Sequence, residues 1–206
     1  GELLFLLREH ARTGDIAARQ MVLDTLRAMA TGGMRDHVGG GFHRYSVDAG
    51  WRVPHFEKML YDQAQLVLAF LEAAQAAGDP TFRAVADDTL SYVRRELSHA
   101  EGGFFSAEDA DSIPPDQVDV PDATKTEGAF YIWGQSEIEQ LFDADADVVR
   151  FRYGIEPGGN APQDPHNEFT HKNLLYVAHG LDDVARLSGR SVEDVTAVLD
   201  GVGALR

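Results

Sequence analysis

The sequence predicts an all-α fold: a partial α/α toroid with short β-hairpins in its connectors, occupying residues 1–206 as a single domain. Two observations predict it. Apolar residues recur at helical period in several segments, on one face in some and nearly all round in others, the patterns of helices that cover a core and of helices buried within one. Between such segments a Gly-Gly-Phe connector occurs twice, in Gly39–Phe42 and in Gly102–Phe104. It marks a repeat of outer helix, glycine turn, short hairpin and inner helix, and stacking such units about an axis gives two helical layers.

The elements follow in order. Asp15 is an N-cap for a helix to Thr31, with Val22, Leu23, Leu26, Met29 and Ala30 on one stripe and Gly32 and Gly33 as a stop. His55–Ala77 reads as the inner, most buried helix, because Phe56, Met59, Leu60, Val67, Phe70, Leu71 and Ala74 form a stripe that Leu66, Leu68 and Ala69 widen onto other faces. Pro80–Leu97 is a second covering helix, its Phe82, Val85, Ala86, Leu90, Val93 and Leu97 opposed by Asp87, Asp88, Arg94 and Arg95. A shorter helix starts at Ser136, where Ser136-x-x-Glu139 has capping-box spacing, and carries Ile138, Leu141 and Phe142. The connector glycines serve positive φ and close backbone approach, since no Lys-Ser/Thr follows them as a phosphate loop requires.

Composition removes several function classes. The net charge is −16, and the lysines are Lys58, Lys125 and Lys172, so no basic surface for nucleic acid is expected. No apolar run approaches the roughly 20 residues of a membrane span, and no signal peptide is visible at the N-terminus. With no cysteine, disulfides and thiolate metal sites are excluded and a cytoplasmic location is expected.

The stretches GGGFHRYSVDAGWRVPHFEKMLYDQA, GGFFSAEDADS and EGAFYIW resemble the helical region of the thioredoxin domain-containing family that includes the spermatogenesis-associated thioredoxin-like proteins. The resemblance covers nearly the whole chain and weakens after about Gly158. It implies an (α/α)6 toroid of the six-hairpin glycosidase and epimerase type, joined to a thioredoxin-like domain. Relative to that pattern, the thioredoxin-like domain and the second half of the ring are expected to be missing here. Half a ring leaves an apolar edge, so exposed hydrophobic surface or self-association is expected.

In such a ring the glycine connectors open onto the mouth of the central cavity, which singles out their polar residues. His43 and Tyr45 alternate with Phe42 and Arg44 and would line one face of a strand. His55 and Asp62 would share a face of the inner helix two turns apart, about 10 Å along its axis. Asp62 stands among apolar residues, which argues against a merely solvated charge; Glu57 and Lys58 read as structural. In the second connector Asp109 and Asp111 would face one way, roughly 7 Å apart, with Glu127 completing an acidic wall. That spacing suits paired carboxylates acting on a glycoside, a hard cation, or simply a polar turn ahead of the Pro- and Asp-rich segment after Ser112.

The expected catalytic set is therefore His43, Asp62, Asp109 and Asp111, converging at one mouth of the ring, with Tyr45, Trp51, His55, Glu127 and Trp133 as substrate-binding residues. Neither a metal nor another cofactor is expected, since the histidines lack helical zinc spacing. Two functions remain open: a carbohydrate hydrolase or epimerase, and a non-catalytic module binding a small molecule, a sugar by preference, or a partner for the attached thioredoxin-like domain.

Overall fold

Two helical hairpins build the first half of the chain. In α1 (Glu2–Thr13) and α2 (Ile16–Thr31) the break is set by Gly14, left-handed at φ 77°, and by Asp15, whose carboxylate accepts the N–H groups of Ala17 and Ala18. α3 (Leu60–Ala77) and α4 (Pro80–Glu96) are separated by left-handed Gly78 and the N-cap Asp79, which accepts from Thr81. The apolar stripes of all four meet in one core around Val22, Leu23, Leu26, Phe42, Phe70 and Phe82. The computed structural model describes residues 1–162 and 169–203.

Among the described residues, three two-stranded antiparallel sheets lie in the segments between helices: β1 (Tyr45–Ser46) with β2 (Pro54–His55), β3 (Lys58–Met59) with β4 (Ala107–Glu108), and β5 (Asp111–Ser112) with β6 (Thr126–Glu127). The first is a local hairpin whose turn is tied by Asp48, acceptor for the N–H groups of Gly50, Arg52 and Val53. The second is not local. It pairs Lys58 with Glu108 and so binds the entry to α3 to the connector that follows α4.

The repeat is visible in the connector hydrogen bonds. The Asp36 N–H donates to Gly41 O and that of His43 to Met34 O; equivalently, the His99 N–H donates to Gly103 O and that of Phe105 to Leu97 O. Gly40, Gly41, Gly102 and Gly103 all have positive φ, which glycine adopts freely. At Gly41 a Cβ would also lie 2.5 Å from the Tyr92 ring.

The second half carries α5 (Gln135–Phe142), α6 (Ala146–Tyr153), α7 (Leu181–Ser188) and α8 (Val192–Gly203). α5 packs on α6, and α6 to α8 pack on one another around Val148, Val184 and Val195. The halves are joined by the Val177 N–H on Thr31 O and by Arg52, which stacks on Tyr176 and donates to Asn160 O.

The expected helical fold with short hairpins is present, with corrections in detail. The inner helix starts at Leu60 rather than His55, because residues 54–59 are drawn into sheet pairing with Tyr45 and Glu108. His55 and Asp62 consequently share no helix face. α3 buries Val67 and Phe70 but leaves Tyr61 and Leu68 exposed, and α4 leaves Leu90 exposed. α5 begins one residue before Ser136: Gly134 is its N-cap, its N–H held by Glu137, while Glu139 accepts from Gln135 instead. α1, α6, α7 and α8 are additional to the helices that the apolar periodicity predicts.

Candidate functional site

A cavity of about 520 Å³ opens between the first connector, the end of α4, β4, the segment after β6 and the start of α5. Lys58, 1% exposed, is part of its wall. Its ammonium donates to Asp36 Oδ2 at 2.7 Å and to Gly40 O at 3.0 Å, and lies 4.4 and 4.9 Å from the ring centroids of Tyr92 and Tyr131. The aromatic faces and the carboxylate replace the water that burial removes. Asp36 Oδ1 accepts the N–H groups of Val38 and Gly39. Burial alone would raise the Asp36 carboxyl, but the Lys58 charge and these hydrogen bonds hold it below the usual carboxylate range.

The neighbouring carboxylate, Glu108, is the cross-strand partner of Lys58 and accepts from both phenols, Tyr92 at 2.6 Å and Tyr131 at 2.5 Å. Burial, with Glu108 alongside, raises both phenols above their ordinary range, so they stay protonated donors. His43 is buried against Phe56 and Tyr131, edge to face. Its Nδ1 meets Phe56 O at 2.9 Å, and a carbonyl only accepts, so Nδ1 carries the proton and Nε2 is an acceptor on a residue lining the cavity. Burial first, then the Lys58 charge, pushes this imidazole down to about 3. His37, whose Nε2 meets Gly32 O, is pushed down to about 4 by burial and then by Arg35. Trp133 is fixed on the wall by a reciprocal backbone bridge to buried Asn173.

The arrangement gathers hydrogen-bonded polar groups between aromatic rings in one cavity. Such a cavity can orient a small polar molecule through hydrogen bonds and stacking.

Of the expected site residues, His43 and Trp133 line this cavity. The others lie elsewhere, so the expected convergence of His43, Asp62, Asp109 and Asp111 is not found. Asp62 lines a second cavity, of about 460 Å³, with Arg44 and Gln65; its Oδ2 is buried without a hydrogen-bond partner among the described residues, and burial raises its carboxyl. Asp109 and Asp111 are exposed on the β5–β6 side, where Asp109 accepts the Asp111 N–H and pairs with Lys125 at 3.4 Å. The physical reason is the β3–β4 pairing, which turns Glu108 rather than its neighbours toward Lys58.

Tyr45 is exposed, not on the His43 face, because the bend at Arg44 breaks strand alternation before β1. Tyr45 stacks on His55, whose Nδ1 meets Glu127 Oε1 at 2.6 Å, so these three form a surface cluster of their own. Trp51, at φ 59°, accepts the Gly33 N–H and packs on the α1–α4 core. Asp36, Glu108 and Tyr92 are cavity groups that the spacing arguments do not reach, and Lys58, expected to be structural, lines the cavity as well. The available signal was a lysine between Phe56 and Met59 in a chain with three lysines.

No protein-family model matches the chain. It is similar to curated proteins called spermatogenesis-associated protein 20: 46% identical to the human protein and 45% to the mouse protein over 195 residues, 89% of this chain and 24% of each relative. A protein of Caenorhabditis elegans is 41% identical over 166 residues, 75% of this chain and 22% of that protein. The chain thus has homologues named spermatogenesis-associated protein 20 and spans 24% of the length of those it matches first.

Proposed function

We propose that the cavity around Lys58 binds a small carbohydrate, and that α1–α4 are consecutive pairs of an α/α toroid whose connector face forms the site. The observation that carries this reading is the placing of fixed donors and acceptors among aromatic faces in one cavity of about 520 Å³. Trp133 and Phe130 offer aromatic surface for sugar-ring stacking. His43 Nε2 and the phenol-bound Glu108 offer acceptors for sugar hydroxyls, while Arg35 and Arg95 on the wall offer donors.

Binding suits the groups better than turnover does. General acid–base catalysis works best with a group poised near the operating pH. Here Asp36 is held ionised, His43 and His37 neutral, and the two phenols protonated.

The test is a thermal-shift screen of the chain against mono- and disaccharides. A ligand present at about 100 times its Kd stabilises by about 2.7 kcal/mol, or about 5–10 °C at this size. At least one saccharide should raise Tm in the native chain and in Asp109→Asn, and fail to do so in Trp133→Ala. A panel with no shift, or a shift unchanged in Trp133→Ala, overturns the proposal.

A further inference from the structure

The two Gly-Gly-Phe connectors share one hydrogen-bond pattern but differ in what covers them. In the first, Phe42 is 0% exposed and stacks on Phe70 of α3, ring centroids 5.4 Å apart. Its N–H donates to Gln63 Oε1 at 2.9 Å and its C=O accepts from Gln63 Nε2 at 2.6 Å, so one buried amide on α3 satisfies both outward-facing backbone groups. The glycines before it are roofed by Asp88 and Tyr92 of α4. In the second connector Phe104 is 61% exposed, and among the described residues a Cβ on Gly102 or Gly103 would meet nothing within 4 Å. Phe104 bridges to Ser98 as Phe42 does to Arg35, which turns its N–H and C=O outward in the same way.

We infer that the second connector, Ser98–Phe105, is a docking edge for a helical hairpin of the α3–α4 kind, supplied as the next repeat of a longer chain. Its first helix brings a Gln or Asn amide to the Phe104 backbone and an aromatic ring to its side chain; its second helix roofs Gly102 and Gly103. The specification is read from the occupied connector of the same molecule. The homologues named above extend well beyond the matched stretch, which is 24% of their length, and so have room for such a unit. Phe105, also exposed at the position equivalent to buried His43, extends the edge.

The probe is a synthetic peptide of residues 54–97, which carries Gln63, Phe70, Asp88 and Tyr92 and already covers the first connector. It is titrated into the ¹⁵N-labelled 206-residue chain. The Phe104 and Phe105 amide resonances should move saturably while that of Phe42 stays in place. Phe104→Ala in the chain and Gln63→Ala in the peptide should each weaken binding about tenfold or more. No movement, movement at Phe42, or binding indifferent to both substitutions overturns the inference. Amide exchange in the free chain tests it independently: fast exchange at Phe104 with slow exchange at Phe42 supports an open edge, and equal protection at both overturns it.

Discussion

Replacing Asp36 by Asn tests whether the buried Lys58–Asp36 pair organises the cavity. The introduced amide keeps a side-chain oxygen for the N–H groups of Val38 and Gly39 but removes the charge opposite an ammonium that is 1% exposed. Lys58 would retain Gly40 O and the faces of Tyr92 and Tyr131. A cation–π contact contributes about 2 kcal/mol when desolvated. Removing one partner of a buried pair costs about 3–5 kcal/mol, because the remaining charge stays uncompensated. At about 2–4 °C per kcal/mol for this size, Tm should fall by about 6–20 °C. Adding Lys58→Met removes the stranded charge and fills its volume with an apolar chain that the two rings accept. The double variant should therefore regain about 2 kcal/mol over Asp36→Asn. The assay is urea and thermal unfolding followed by circular dichroism. A loss below about 1 kcal/mol for Asp36→Asn, or a double variant no more stable than the single, refutes the reasoning.

Gln63→Ala strips the partner from the buried Phe42 N–H and C=O and should cost about 2–4 kcal/mol in urea unfolding. Phe70→Ala, at the junction of Phe42 and Phe82, should cost about 3–5 kcal/mol by the same measurement. Stability should depend on acid through His37 and His43: their folded pKa values, about 4 and about 3, lie below the unfolded value of about 6.5. The unfolded chain then binds more protons between those values, so stability is full above pH ~6.5 and falls by up to about 1.4 kcal/mol per pH unit per histidine on the way down. Urea titrations from about pH 7 to about 4.5 measure that slope, which His37→Asn with His43→Asn should flatten. Asp109→Asn and Asp111→Asn, both exposed, should change stability by less than about 0.5 kcal/mol, read by thermal unfolding.

The repeat was legible because glycine leaves a covalent signature: the two Gly-Gly-Phe runs take positive φ at equivalent places, and a flanking helix carries the stripe that helical period assigns. Asp15 and Asp79 likewise act locally, each capping the helix that follows it. The cavity was illegible for the opposite reason. Lys58 and Glu108 are brought together by two-residue strands, too short for alternation to register, and no local pattern foretells that they pair with each other. Asp109 and Asp111 alternate as strand residues on one face do, yet Glu108 beside them carries the phenol hydrogen bonds. α1 packs Leu3, Leu4, Leu6 and Leu7 on the core, but no Gly-Gly-Phe connector follows it to mark it as part of the repeat.

The most direct test of the account is to map a bound saccharide on the chain by ¹⁵N chemical-shift perturbation, using the saccharide that raises Tm most. The account predicts that the Trp133 indole N–H and the amides of His43, Tyr131 and Glu108 move together and saturate with one Kd, while the Asp62 amide stays still. Shifts centred on Asp62 and Arg44, or on the surface cluster of Tyr45, His55 and Glu127, with the Trp133 indole unmoved, would contradict it.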